Sequence, residues 1–243
     1  MAGKLFTKEN GNAKTAKSAG KGYETAILYM APGAESGYQV CSSSSIGCLN
    51  ACLFTAGRGR MDNVKKGRIR RTRLFFEQRD EFKRQVIKEL TTLVRRCKKN
   101  GLKPCVRMNG TSDIVWERVW PELFTLFPTI QFYCYTKHLK RCLPNWNLPS
   151  NYHLTFSRSE ENDDSVAEVL AGGQVNVAMV FDSKDFPKTF EGYEVLSGDD
   201  HDLRFLDNNG KGGKIIALYA KGDAKKDDSG FVLPSAEVLN YSA

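Results

Sequence analysis

The chain has no long apolar run. Its apolar-rich stretches, such as Val175 to Phe181, fall well short of the roughly 18 residues a membrane-spanning helix requires, so no transmembrane helix is expected. The opening stretch, Met1 to Lys21, is rich in Lys, Gly and Asn and has no apolar h-region, so the sequence predicts a cytoplasmic protein rather than a secreted one. Histidine is scarce: there are three in the chain, and neither His138 nor His153 has a Ser or Cys at a nucleophile spacing, which leaves no nucleophilic role for them. The third, in Asp199-Asp200-His201-Asp202, belongs to what reads as a solvated acidic turn rather than a divalent-metal site. Asn208 to Lys214 lacks the G-x4-G-K-S/T spacing of a phosphate loop and reads as a hairpin turn. Base-reading, helix-turn-helix and aromatic RNA-binding signatures are also missing, so sequence-specific nucleic-acid recognition is not supported.

What is present is a basic protein of 243 residues, 41% hydrophobic, with 36 Lys and Arg against 28 Asp and Glu, a net charge of +8. That length buries a core without disulfide or metal staples and fits one large α/β domain or two small ones. The charge is polarised. Arg58 to Arg107 holds 18 basic and 5 acidic residues, whereas Ser159 to Asp202 holds 2 basic and 12 acidic ones. The basic region 58–107 is thus a candidate surface for nucleic acid or a host protein, weighed evenly against a solvated helix face. Residues 1–22 read as a disordered basic tail, and residues 23–243 as a single α/β domain.

Apolar periodicity predicts a long helix in which Phe82, Val86, Leu90, Leu93 and Cys97 share a stripe, stopped by Asn100-Gly101. Strand-like runs at Thr25–Met30 and Tyr38–Cys41 precede it, and six follow: Pro104–Met108, Thr129–Tyr135, Tyr152–Phe156, Val175–Phe181, Tyr193–Leu196 and Gly213–Tyr219. Helix-compatible stretches at Asp113–Phe124, Thr136–Cys142 and Ser159–Leu170 alternate with them, which implies a parallel sheet with its functional loops at the strand carboxyl ends. The polar residues there, Asn109, Ser112, Asp113, Tyr135, Lys137 and Arg158, are candidates for a shared ligand pocket. Arg70 and Arg73, three apart, are the candidates for inward-facing cationic partners of an anionic group.

Seven cysteines in a chain without an export signal point to thiols or metal ligands rather than disulfides. Three lie within twelve residues, Cys41, Cys48 and Cys52, as C-x6-C-x3-C. Thiolates suit zinc or an iron-sulfur cluster. The spacing is not that of a zinc finger, although Cys105, Cys134 or His138 would offer a fourth zinc ligand, and buried metal-free thiols are the remaining alternative. Cys97 reads as core, Cys105 as a strand residue, Cys134 as packing, and Cys142 has no evident role.

Three thiolates would leave one iron of a four-iron four-sulfur cluster open. That arrangement after the first strand of a parallel α/β fold resembles the radical S-adenosylmethionine (SAM) architecture. A closer resemblance is carried by Leu28-Tyr29-Met30-Ala31-Pro32, Val40-Cys41, Gly47-Cys48-Leu49-Asn50-Ala51-Cys52-Leu53, Arg70-Arg71-Thr72, Arg107-Met108-Asn109-Gly110-Thr111-Ser112-Asp113 and Phe132-Tyr133-Cys134-Tyr135-Thr136-Lys137. Over roughly residues 25–220 the chain resembles the phage-encoded gene product 88 family. The resemblance implies a phage origin, a location in the host cytoplasm, and a four-iron four-sulfur cluster held by Cys41, Cys48 and Cys52 on a parallel partial (βα) barrel like the radical SAM core. It also places Asn109, Ser112 and Asp113 where radical SAM enzymes contact SAM. Three functions follow as expectations: a redox or binding role for the cluster, SAM cleavage at the open iron, or a zinc-stabilised module binding nucleic acid or a host protein. The first is favoured because radical SAM enzymes usually space their cysteines as C-x3-C-x2-C.

Overall fold

The computed structural model describes residues 3–7, 18–207 and 212–235. Ten strands run in chain order as β1 (Phe6–Thr7), β2 (Tyr23–Leu28), β3 (Lys103–Arg107), β4 (Gln131–Thr136), β5 (Tyr152–Ser157), β6 (Val177–Phe181), β7 (Thr189–Phe190), β8 (Tyr193–Ser197), β9 (Ile215–Tyr219) and β10 (Val232–Leu233). The helices are α1 (Ile46–Asn50), α2 (Asp62–Glu77), α3 (Arg79–Asn100), α4 (Trp116–Val119), α5 (Glu122–Leu126) and α6 (Asp163–Gly172). The strands form an open sheet in the order β1-β2-β3-β4-β5-β6-β9-β8-β7, with β10 on β6 off that path. Of the registered pairs, β1 with β2 and β7 with β8 are antiparallel and the others parallel. The chain is therefore a mixed α/β protein with a mostly parallel, unclosed sheet. Near-continuous apolar strands such as VAMVF in β6 are what a parallel sheet covered on both faces demands.

Two compact units divide the chain. The first takes Met1–Ser42, Arg58–Cys134 and Leu148–His153, and the second Ser43–Gly57, Tyr135–Asn147 and Leu154–Ala243. In the first, α3 buries Phe82, Val86, Leu90, Leu93 and Cys97 and ends at Gly101, whose left-handed φ of 66° suits glycine. Phe75 of α2 meets Phe82 and Trp116 edge-on, at 5.3 and 5.2 Å between ring centroids. In the second, Phe156, Val166, Val169, Leu170, Val177, Met179, Phe181, Ile215 and Ala217 form the core between α6 and the sheet.

The six later strands expected from the sequence are all present within a residue or two, as is α3. Other expectations need correcting. Inside the stretch read as a tail, residues 1–2 and 8–17 lie outside the described residues, but Phe6–Thr7 pairs with Leu28 and Ile27, and Leu5 and Phe6 are buried. An apolar pair is enough to add an edge strand when Glu89 accepts the Leu5 and Phe6 amides at 2.9 and 3.0 Å. Tyr38–Cys41 forms no strand, and Asp113–Phe124 breaks into α4 and α5 at Trp120-Pro121, where proline removes a donor. Thr136–Cys142 supplies only a 3-10 turn, Leu139–Cys142. The hairpin turn falls partly on residues 208–211, outside the described residues, and β8 and β9 on either side are parallel, so they do not form a hairpin.

Candidate functional site

The seven cysteines fall into two classes, and none forms a disulfide. Cys97, Cys105, Cys134 and Cys142 are buried; Cys105 Sγ lies 3.1 Å from Thr25 Oγ1, and Cys97 donates toward Glu24. These four are accounted for by packing. Cys41, Cys48 and Cys52 are half-buried and therefore accessible to a ligand.

Cys41 belongs to the first unit. Val40 anchors it: the Val40 amide bonds to Gly33 O at 3.1 Å and Val40 O accepts from the Asp113 amide at 2.8 Å. Cys41 Sγ then sits 3.9 Å from Thr111 O. The structure thus brings Cys41 beside the loop after β3, which carries Asn109, Ser112 and Asp113. The role of Asn109 is different. Its Oδ1 accepts from Ser112 Oγ at 2.9 Å, the Ile114 amide at 3.2 Å and Trp116 Nε1 at 2.9 Å, while Nδ2 donates to Ile114 O at 2.9 Å. Asn109 is buried, and these bonds use its two amide ends to shape the loop.

Cys48 and Cys52 belong to the second unit. Ser45 caps α1, its Oγ accepting from the Cys48 amide at 3.1 Å. Glu160 clamps the same turn: its carboxylate accepts from Ser45 Oγ at 2.8 Å and from the Gly47 amide at 2.7 Å. A side chain at Gly47 would collide with Ser229 Oγ and the Glu160 carboxylate, so the close approach requires glycine. Cys48 packs against a small cluster of Ala51, Ala220, Ala224 and Phe231.

Phe231 also gathers two of the expected pocket residues. Lys137 Nζ lies 5.5 Å from its ring centroid and donates to Ser157 Oγ at 2.8 Å. Arg158 donates to Gly230 O at 2.8 Å and Phe231 O at 3.3 Å, and pairs with Asp163 at 2.8 Å. Tyr135 is half-buried at the end of β4. Lys137 and Arg158 are thus held by the segment around β10, which takes over the edge of β6 at Val180 and Phe181 after β5 has paired with Val177 and Ala178.

Arg70 and Arg73 face outward, which corrects their reading as inward partners. The buried stripe of α2 is Arg68, Thr72 and Phe75, and Arg70 and Arg73 lie far from it around the helix. Arg70 donates to Gly3 O at 3.0 Å and Arg73 to Ser36 O at 3.2 Å, and both line a shallow groove of about 410 Å³. The inward cations are Arg68, 5.0 Å over the Tyr29 ring, and Arg71, which donates to Tyr29 O at 2.7 Å. Burial, then Arg70 and Arg68, lower the Arg71 pKa to about 10, so it stays charged at neutral pH.

Sequence reasoning missed Glu160 and Phe231. Ser45, three before Cys48, carried a recognisable cap signal; Glu160 and Phe231 are more than a hundred residues from the thiol they support and carried none. Among the described residues, no three His, Cys, Asp or Glu side chains are gathered as a metal-holding group, and no helix is long and apolar enough to cross a membrane.

A family model described as Gene product 88 matches residues 4–234. No curated protein and no solved structure matches the chain. The match spans nearly the whole sequence, and the chain belongs to the gene product 88 family.

Proposed function

We propose that this protein binds a four-iron four-sulfur cluster through Cys41, Cys48 and Cys52 and uses it in a redox or binding role. The observation that carries the reading is the division of the cysteines: the three within twelve residues are half-buried, and the four elsewhere are packed in the core. The donor set fits in kind, because soft thiolates are the ligands such clusters take. When bound, the cluster supplies one-electron chemistry and, with three protein ligands, one open coordination position.

The chain's own residues then have definable tasks. Ser45 and Glu160 fix the turn that presents Cys48, and Val40 fixes Cys41. The finer fold reading, a radical-SAM-like partial barrel, rests on the open parallel sheet. A redox or binding role is preferred over SAM cleavage because the Asn109 amide is spent within its own loop rather than left for a ligand.

The test is anaerobic purification with iron and sulfide analysis, followed by electron paramagnetic resonance of the reduced protein with and without SAM. The reading predicts a cluster signal that SAM leaves unchanged, lost in Cys41→Ala, Cys48→Ala and Cys52→Ala and kept in Cys105→Ala. A SAM-dependent change would favour the enzyme; zinc or bare thiols would overturn the cluster.

A further inference from the structure

The outer face of α3 carries a one-signed stripe. Phe82, Val86, Leu90, Leu93 and Cys97 point into the first unit. At about 100° per residue, Arg84, Lys88, Arg95 and Lys99 fall within about 60° of one another on the opposite side, with Lys98 beside them. All five are exposed, and from Arg84 to Asn100 every exposed charged residue is basic. Glu89, the acidic residue in that span, is turned away to accept the Leu5 and Phe6 amides. From Arg84 to Lys99 the stripe runs about 22 Å.

Helix stability selects only the end of this face, where Lys98 and Lys99 in the last turn meet the negative end of the helix dipole. Like charges four residues apart, Arg84 with Lys88 and Arg95 with Lys99, repel and weaken a helix, whereas a face kept only for solubility gains from alternating signs. Arg84 shares its charge with Glu81 at 2.6 Å, leaving Lys88, Arg95, Lys98 and Lys99 as the main cationic row. An extended row of positive charge on one rigid helix complements an extended row of negative charge. A folded acidic protein rarely offers such a row, and a phosphate backbone always does.

We propose that this α3 face binds the phosphate backbone of nucleic acid without reading its sequence. Four phosphate contacts give a slope of log affinity against log salt of about −3.6 for a duplex and about −2.8 for a single strand. For the duplex, raising salt from 50 to 200 mM then weakens binding by roughly 150-fold.

The experiment is fluorescence anisotropy of the full chain with labelled 20-mer oligonucleotides of unrelated sequence, duplex and single-stranded, across that salt range. Unlabelled polyglutamate serves as the acidic-protein probe. The expected result is binding indifferent to sequence, with Arg95→Gln/Lys99→Gln weakening it and roughly halving the salt slope. Lys225→Gln/Lys226→Gln, which removes two exposed charges from the other unit, is expected to leave affinity and slope unchanged. Circular dichroism of each variant confirms folding. No binding at 50 mM salt, an unchanged slope in the folded α3 variant, an equal effect in the control pair, or displacement by polyglutamate at matched charge would each overturn the proposal.

Discussion

Replacing Asn109 by leucine tests whether the loop after β3 is held by one buried amide. In the wild type that side chain satisfies Trp116 Nε1, the Ile114 amide and Ile114 O, with Trp116 fully buried and Ile114 8% exposed. Leucine has similar volume but no polar atom, so three buried groups lose their partner. Each such loss costs about 1–3 kcal/mol, and because all three share one loop that relaxes together, the sum is taken at its lower end, about 3–5 kcal/mol. For a chain of this size that corresponds to a fall of about 10 °C in Tm, read by circular dichroism. Asn109→Asp keeps the acceptor but sets a carboxylate against Ile114 O, and is expected to lose less than leucine does at acidic pH, where the carboxylic acid donates again. A loss below about 1 kcal/mol for Asn109→Leu would refute the reasoning and return Asn109 to the ligand pocket.

Glu160→Ala removes two charge-assisted bonds to the turn of Cys48 and leaves the buried Gly47 amide unpaired, an expected loss of about 2–4 kcal/mol by denaturant titration; Glu160→Gln, which still accepts one bond, is expected to fall between. Gly110→Ala would drive a methyl into the Tyr29 ring and Ile27, at 2.5 and 2.9 Å, and is expected to lower Tm. Asp207 gives a pH dependence: burial, opposed by Arg204 at 3.2 Å, raises its carboxyl from 3.8 to about 6. Between those values the folded state holds a proton that the unfolded state has lost, so this group's contribution to stability falls as pH rises from about 4 to about 6. Asp207→Asn is expected to flatten that segment of the stability profile, and an unchanged slope would contradict the assignment.

The parallel sheet and α3 were legible because their apolar residues repeat with the periods of a buried strand and a one-faced helix. α2 was not, since two of its three buried positions are Arg68 and Thr72, which pack by hydrogen bonding and ring stacking rather than by hydrophobicity. For the same reason the sequence points to Arg70 and Arg73 as inward-facing, whereas Arg68 and Arg71 take that place. At the candidate site, the compact cysteine motif was evident from spacing alone. Which cysteines remain accessible, and that Glu160 clamps their turn, depend on contacts between residues far apart in sequence. Lys137 and Arg158 directly follow the ends of β4 and β5, but their engagement by Gly230 and Phe231 required knowing that β10 joins β6.

Native mass spectrometry of the anaerobically purified chain tests the central claim most directly, because it counts bound metal and sulfide on each molecule. The account predicts a mass increment of four iron and four sulfide, absent from the Cys41→Ala/Cys48→Ala/Cys52→Ala variant and present in Cys105→Ala. A chain that carries zinc or no metal after anaerobic reconstitution with iron and sulfide, or one whose increment survives loss of all three thiols, would contradict it.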